Sequence, residues 1–313
     1  MNKFDKVVII SSYRVLVSYV LINKYEVDNI LFISDSSLGL KDKLLLKNIV
    51  EISWPKNYFY LILYKIYYFL YFSILLCFFC KNKKSLVVYG ADHIVGAKFF
   101  LKRFPFYVIE DGRANYISSN YIRSFRNKLF SIPSFGMHKT VKGIYFTSED
   151  LDGLPEIIKN RAIFIDLKRM WATKSPAEQN NILSFLKIDI NNIKKLSSKK
   201  FILFTQPLSE DGIVTEEEKI DIYRDILSKY DLDNLAIKPH PREKTNYEEI
   251  FKDVYVFKDT VPSEMLDILG VKFERVITLF SSAAFQYDKD IVDFYGTEAY
   301  PKLYKRFGGL KFN

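Results

Sequence analysis

The chain has 313 residues, 49% of them hydrophobic, which suits about two packed domains and excludes a disordered polypeptide. A net charge of +9 without paired zinc ligands or aromatic ribonucleoprotein strings points to an anionic nucleotide or lipid headgroup, not to nucleic acid. Cys77 and Cys80 alone exclude a disulfide framework and make the cytoplasm the default, and three histidines without a Cys/His cluster exclude a structural zinc site.

No secretory signal is read, because Met1-Asn2-Lys3-Phe4-Asp5 runs straight into the strand-like Val7-Val8-Ile9-Ile10. The pattern predicts strands over 6–11, 29–34 and up to Ile52, with helices over 13–23 and 38–48 between them. Trp54-Pro55 closes that run, and a long apolar stretch over 58–80 follows. Next come a strand over 86–89 turned by Gly90, a helix over 94–103 and a strand over 106–109. Residues 115–142 read as irregular and suited to acceptor loops, and 164–171 as one more strand. The polar, lysine-rich residues 175–200, with helical patches, read as the interdomain linker. Strands over 201–204, 235–237, 254–257, 275–279 and 291–294 then alternate with helices over 216–230 and 263–269. Such alternation implies two Rossmann-like parallel-sheet domains, 1–174 and 175–313, facing an interdomain cleft.

The stretch over 58–80 admits three readings: a buried helix, a helix lying on a membrane surface, or a span. Its uncharged part, 66–80, is 15 residues long, against the ~20 that a bilayer needs. Lys65 interrupts it, Lys81, Lys83 and Lys84 follow it, and tyrosines at 58, 60, 64, 67, 68 and 71 suit an interface better than lipid tails.

Chemistry concentrates in loops at the carboxyl ends of strands, where open α/β sheets bind ligands. Glu110-Asp111-Gly112 follows the strand 106–109 and offers a carboxylate as general base, with Gly112 allowing close approach or positive φ. Two carboxylates in one turn also repel, which is expected to raise the pKa of one of them. Lys238-Pro239-His240-Pro241 follows 235–237, and prolines on both sides hold an imidazole at a defined angle between the basic Lys238 and Arg242. His93 and His138 lack such a setting and read as incidental. Ser281-Ser282 follows an apolar strand and supplies hydroxyls and N–H groups for a phosphate; Glu264 in Pro262-Ser263-Glu264 suits a ribose diol. Asp150-Leu151-Asp152, Asp231-Leu232-Asp233 and Asp288-Lys289-Asp290 have the D-x-D spacing of metal-dependent transferases, but none follows a strand end beside the other strings.

The ordered set resembles the bacterial sialyltransferases, which share an acidic-Asp-Gly motif, a His-Pro motif and a Ser-Ser motif on a GT-B fold. It is most similar to glycosyltransferase family 52, the lipooligosaccharide and capsule sialyltransferases; Ile10-Ser11-Ser12-Tyr13-Arg14 and Asp111-Gly112-Arg113-Ala114-Asn115-Tyr116 also fit. The resemblance covers roughly residues 5–295. It implies an inverting transfer of sialic acid from CMP-sialic acid to a terminal galactose, in α-2,3 linkage, of a surface glycan or lipid-linked acceptor. His240 would be the acid, or the group that stabilises the departing CMP phosphate. Ser281 and Ser282 would hold that phosphate, Glu264 the ribose and Lys238 the cytosine. Glu110, Gly112, Gln206 and Pro241 would line the substrate sites. Asp111 would be the base, with Glu210 or Asp211 as the competing candidates. No metal is expected, since the donor carries its own carboxylate and only one phosphate. A cytoplasmic protein peripheral on the inner membrane face follows, with a homodimer left open. Another sugar nucleotide on the same fold, or a non-catalytic membrane-associated scaffold, are the alternatives.

Overall fold

The structure, a computed structural model, describes the chain except residues 1–2, 24–26, 28, 45, 47, 54–59, 95, 123–131, 260, 262 and 313, and except the side chains of 42, 43, 60–62, 113 and 264. It forms two compact units, Met1–Lys187 and Ile188–Asn313.

The first unit is built on a seven-stranded parallel sheet of order β3-β2-β1-β4-β5-β6-β7. The strands are β1 (Lys6–Ile10), β2 (Ile30–Asp35), β3 (Ile49–Ile52), β4 (Val87–Gly90), β5 (Phe106–Ile109), β6 (Val141–Phe146) and β7 (Ala162–Phe164). Val7, Val8, Ile9 and Ile10 have no exposure, as expected of a central parallel strand covered on both faces. The order reverses between β1 and β4, the switch point at which such sheets open a crevice beyond their carboxyl ends. Gly90 makes that junction: with φ +111°, any Cβ would meet the carbonyl oxygen of Ile9 at 2.0 Å. Ala91 N–H instead donates to that oxygen at 2.9 Å.

The second unit carries a five-stranded parallel sheet of order β10-β9-β8-β11-β12. Its strands are β8 (Phe201–Phe204), β9 (Leu235–Lys238), β10 (Tyr255–Val256), β11 (Arg275–Thr278) and β12 (Val292–Phe294). Phe204 is in register with Lys238 on one side and Thr278 on the other. The loops after β9 and β11 therefore flank the loop after β8 at one sheet edge, each about 5 Å away.

Several elements differ from the sequence expectation. Residues 164–171 are not a strand; β7 ends at Phe164 and a helix runs Leu167–Ala172, started by Asp166, whose carboxylate accepts from Arg169 N–H at 3.0 Å. β6 was hidden because Lys142 and Gly143 break its apolar run; a Cβ at Gly143 would meet the end of the Ile163 side chain at 2.5 Å, so that side chain would have to shift. The helices expected over 38–48 and 94–103 shrink to Leu40–Lys43 and Ala97–Leu101. The helical patches read within 175–200 are the helices Pro176–Phe185 and Ile190–Ser197. The units divide between Lys187 and Ile188, and the Phe185 ring lies 6.4 Å from that of Phe32.

The apolar stretch forms the helix Tyr60–Phe78, joining the carboxyl end of β3 to the amino end of β4. Phe72, Leu75 and Leu76 are buried in the first core, whereas Leu63, Ile66, Leu70, Ile74 and Phe78 are exposed. Its end is tied to β1 by Phe4 N–H to the Phe79 carbonyl and Lys81 N–H to the Phe4 carbonyl, both 2.8 Å. Among the described residues no helix is long and apolar enough to cross a membrane.

Candidate active site

In the first unit, three polar residues lie just beyond the carboxyl ends of β1, β4 and β5: Ser12, His93 and Asp111. Ser12 caps the helix Tyr13–Ile22, its hydroxyl accepting from Val15 N–H while donating to Asp111 Oδ1. A hydroxyl can do both at once. His93 Nε2 lies 3.6 Å from Asp111 Oδ2, and Asp111 N–H donates to Asn115 Oδ1 at 2.7 Å. The His93 ring stacks on Phe135, with centroids 5.1 Å apart and planes 5° off parallel. Phe135 is in turn fixed by Asp92, fully buried, which accepts from Phe135 N–H at 2.7 Å and Gly136 N–H at 2.8 Å. Burial pushes the Asp92 carboxyl up, against those two hydrogen bonds and His93.

Glu110 faces elsewhere. Its side chain has no exposure, and it accepts from Arg14, Thr147 Oγ1 (2.6 Å), Thr147 N–H (3.1 Å) and Tyr116. Arg14 also donates to Thr147 Oγ1 at 2.8 Å. Burial and then the Glu110 charge raise the Tyr116 phenol, so it stays protonated as a donor. The two adjacent carboxylates thus have separate partners and do not share a site. Glu110 ties the helix Tyr13–Ile22 to the loops after β5 and β6, and Asp111 is left partly open beside Ser12 and His93. Gly112 takes φ +77° with nothing within 4 Å of a Cβ there, so its glycine serves the backbone turn.

In the second unit, His240 is anchored from both sides of its loop. His240 N–H donates to Glu243 Oε2 at 2.6 Å, and Arg242 N–H donates to His240 Nδ1 at 3.2 Å. Because Nδ1 accepts, the ring proton is assigned to Nε2. Burial and then Arg242 lower the imidazole pKa from 6.5, with Asp211 opposing, so the ring is neutral at neutral pH with an N–H to offer. Glu243, its side chain fully buried, also accepts from Thr205 Oγ1 and from Tyr247 OH at 2.6 Å. Beneath it, Lys219 has no exposure and lies 3.9 Å from Glu243, 3.0 Å from Glu210 and 3.0 Å from Glu216.

The loop after β11 is joined to the loop after β8. Phe280 N–H donates to Gln206 Oε1 at 3.1 Å, and Ser281 N–H to Thr278 Oγ1 at 3.0 Å. Ser281 caps the 3-10 turn Ser282–Gln286 and Ser282 is exposed. So short a turn has little macrodipole, and the Ser281 hydroxyl accepts from Ala283 N–H at 3.3 Å. Pro241 is exposed, and Lys238 is buried, its ammonium donating to the Asp259 carbonyl at 3.2 Å and lying 5.3 Å from the Phe257 ring centre. The side chain of Glu264, and Pro262, lie outside the described residues.

The competing base candidates are both engaged. Burial raises Glu210, but Lys244 N–H (2.7 Å) and Lys219 outweigh it and its pKa falls. Asp211 forms a two-point pair with Arg242 at 2.7 and 3.1 Å.

A sequence profile of glycosyltransferase family 52 matches residues 55–303. The chain belongs to this family. An uncharacterized protein of Haemophilus influenzae is 52% identical over 243 residues, 76% of this chain and 79% of that protein. Two solved sialyltransferases share the fold. The GT-B domain of the Photobacterium damselae enzyme matches with a TM-score of 0.56 at 15% identity, covering 92% of this chain and 89% of that one. A 2,6-sialyltransferase from Photobacterium sp. JT-ISH-224, in complex with CMP and lactose, matches with a TM-score of 0.59 at 11% identity, covering 92% and 70%. The family 52 chain therefore has a GT-B-type fold of two parallel-sheet α/β domains, and it is a glycosyltransferase.

Within the family 52 enzyme, each D-x-D string closes a local turn. Asp150, Asp231 and Asp288 accept from the N–H of Asp152, Asp233 and Asp290 at 3.1, 3.2 and 3.2 Å. His93, read as incidental from the sequence, lies 3.6 Å from Asp111 Oδ2; it follows the strand-ending Gly90 as Asp111 follows β5. His138 is engaged locally, with Nδ1 2.8 Å from Thr140 Oγ1.

Proposed function

We propose that this family 52 glycosyltransferase moves sialic acid from CMP-sialic acid to a terminal galactose of a bacterial surface glycan, in α-2,3 linkage and with inversion. What supports this reading most is the neutral His240, presenting Nε2–H from a braced loop at the edge that also carries Ser281 and Ser282. Those groups suit one phosphate monoester. As the bond between the anomeric carbon and the phosphate oxygen breaks, charge grows on CMP, and donors fixed in advance at that oxygen lower the barrier. His240 acts there as a hydrogen-bond donor, since a neutral imidazole holds an anion better than it delivers a proton. The acceptor hydroxyl attacks the anomeric carbon from the opposite face and gives its proton to Asp111. His93 and Ser12 hold the Asp111 carboxylate in place. Gln206 braces the phosphate loop, and Glu264 takes the ribose. Lys238 contributes its charge from beneath the loop, and no metal is required.

The test is a transfer assay with lactose in the presence of EDTA, comparing CMP-sialic acid with UDP-sugars. Release of CMP with a sialylated product of inverted configuration is expected. Turnover of a UDP-sugar alone would replace the donor and leave the fold assignment intact.

A further inference from the structure

Phe135 holds a backbone conformation that a bulky side chain seldom adopts. Its φ is +55°, in the left-handed region, next to Gly136 at φ +81°. Glycine at 135 would take that conformation without steric cost, whereas phenylalanine is strained in it. Such strain persists only where the surroundings over-determine the backbone, and it gathers at functional sites. Here the surroundings are explicit. Fully buried Asp92 accepts from both Phe135 N–H and Gly136 N–H, at 2.7 and 2.8 Å. Arg161 holds the same turn further on, donating to the Gly136 carbonyl at 2.6 Å and the His138 carbonyl at 2.9 Å.

What the strained turn delivers is a ring. Phe135 lies flat on His93, with centroids 5.1 Å apart, and meets Tyr121 edge to face at 6.1 Å and 60°. Tyr121 is buried, and its hydroxyl donates to the Asn115 carbonyl at 2.5 Å. Burial pushes that phenol up to about 12, so it stays protonated as a donor. Asn115 in turn accepts from Asp111 N–H at 2.7 Å. The ring that orients His93 is therefore braced by the same chain of contacts that holds the Asp111 backbone. A leucine would fill the space there without offering a flat face. We propose that Phe135 is a positioning residue for transfer: its ring, set by Asp92 in a strained turn, fixes the His93 plane and so the direction in which the Asp111 carboxylate meets an acceptor hydroxyl. The role rests on the reading of Asp111 as the base.

Two measurements separate the stack from the chemistry. The chain has three histidines, so the His93 ring protons are identified in NMR spectra by their loss in H93F. Protons above an aromatic face resonate upfield. In F135L, which keeps apolar bulk, the His93 signals are expected to move downfield toward those of a free imidazole, whatever the donor. F135Y keeps the ring and should leave them in place. In transfer from the sugar nucleotide that the enzyme turns over, F135L is expected to lower kcat about tenfold with an unchanged donor KM, and F135Y to stay within about twofold of wild type. H93F/F135L should be no slower than the slower single variant, because both changes act at one point. Unmoved His93 signals in F135L, wild-type transfer by F135L, or losses that multiply in the double variant overturn the role. Wild-type transfer by D111N overturns it at a different place: the base is lost, while the shift of the His93 signals still reports the stack.

Discussion

His93 Nε2 and Asp111 Oδ2 lie 3.6 Å apart, although they leave the sheet from different strands. The stack on Phe135 fixes the ring plane, and Ser12 holds the other carboxylate oxygen. Asp111 is thus oriented from both sides while part of it remains open. Replacing Asp111 with Asn is expected to lower kcat by about 10²–10⁴-fold, the usual contribution of a general base. H93F keeps the stack and removes the nitrogen; it is expected to cost about tenfold in kcat and to leave KM for the donor unchanged. A silent H93F would reduce His93 to a packing residue.

Glu110 and Asp111 are adjacent but should fail differently. E110Q removes the charge from a carboxylate with no exposure that accepts from Arg14, Thr147 and Tyr116, and should cost about 3–5 kcal/mol of stability. D111N should melt near wild type. Thermal unfolding of both variants beside their transfer rates separates the strut from the base.

The Glu210/Asp211 pair gives the converse test. The Arg242–Asp211 pair is 54% and 36% exposed, so D211N should cost no more than about 1 kcal/mol. Transfer should persist within a few-fold if Asp111 is the base. Loss of transfer on D211N comparable to that of D111N would move the base to the second unit.

His240 sets a pH dependence. Burial, then Arg242, lowers its folded pKa below the ordinary 6.5, so the unfolded chain binds the proton more readily. Its contribution to stability is complete above about 6.5 and is lost as the pH falls toward the folded value. Denaturant midpoints measured from pH 7.5 down to 5 should therefore fall less steeply for H240Q than for wild type.

Much of this was legible in the chain. Unbroken apolar runs such as Val7–Ile10 and Leu235–Ile237 mark parallel strands, and the glycine, proline and serine strings after them mark the loops at the carboxyl ends of such strands. What was hidden had physical causes. β6 carries a lysine and a glycine, and the glycine leaves room for the end of the Ile163 side chain on the neighbouring strand. Asp166 starts a helix inside a segment that looked extended. The separate duties of Glu110 and Asp111 depend on Arg14, 96 residues away in sequence. No local pattern reveals such a contact.

The three carboxylates around Lys219 share one cation with no access to water. K219M would strand them and should cost about 3–5 kcal/mol, most of all at high pH, because the unpaired carboxyls would then favour their protonated forms. Adding E243Q or E210Q should restore part of that loss, so the double-mutant cycle is strongly non-additive. The region beneath His240 therefore changes as a block: a drift in nucleotide preference that reached positions 210, 216, 219 or 243 would depend on the order of substitution, and most single steps would be closed to it.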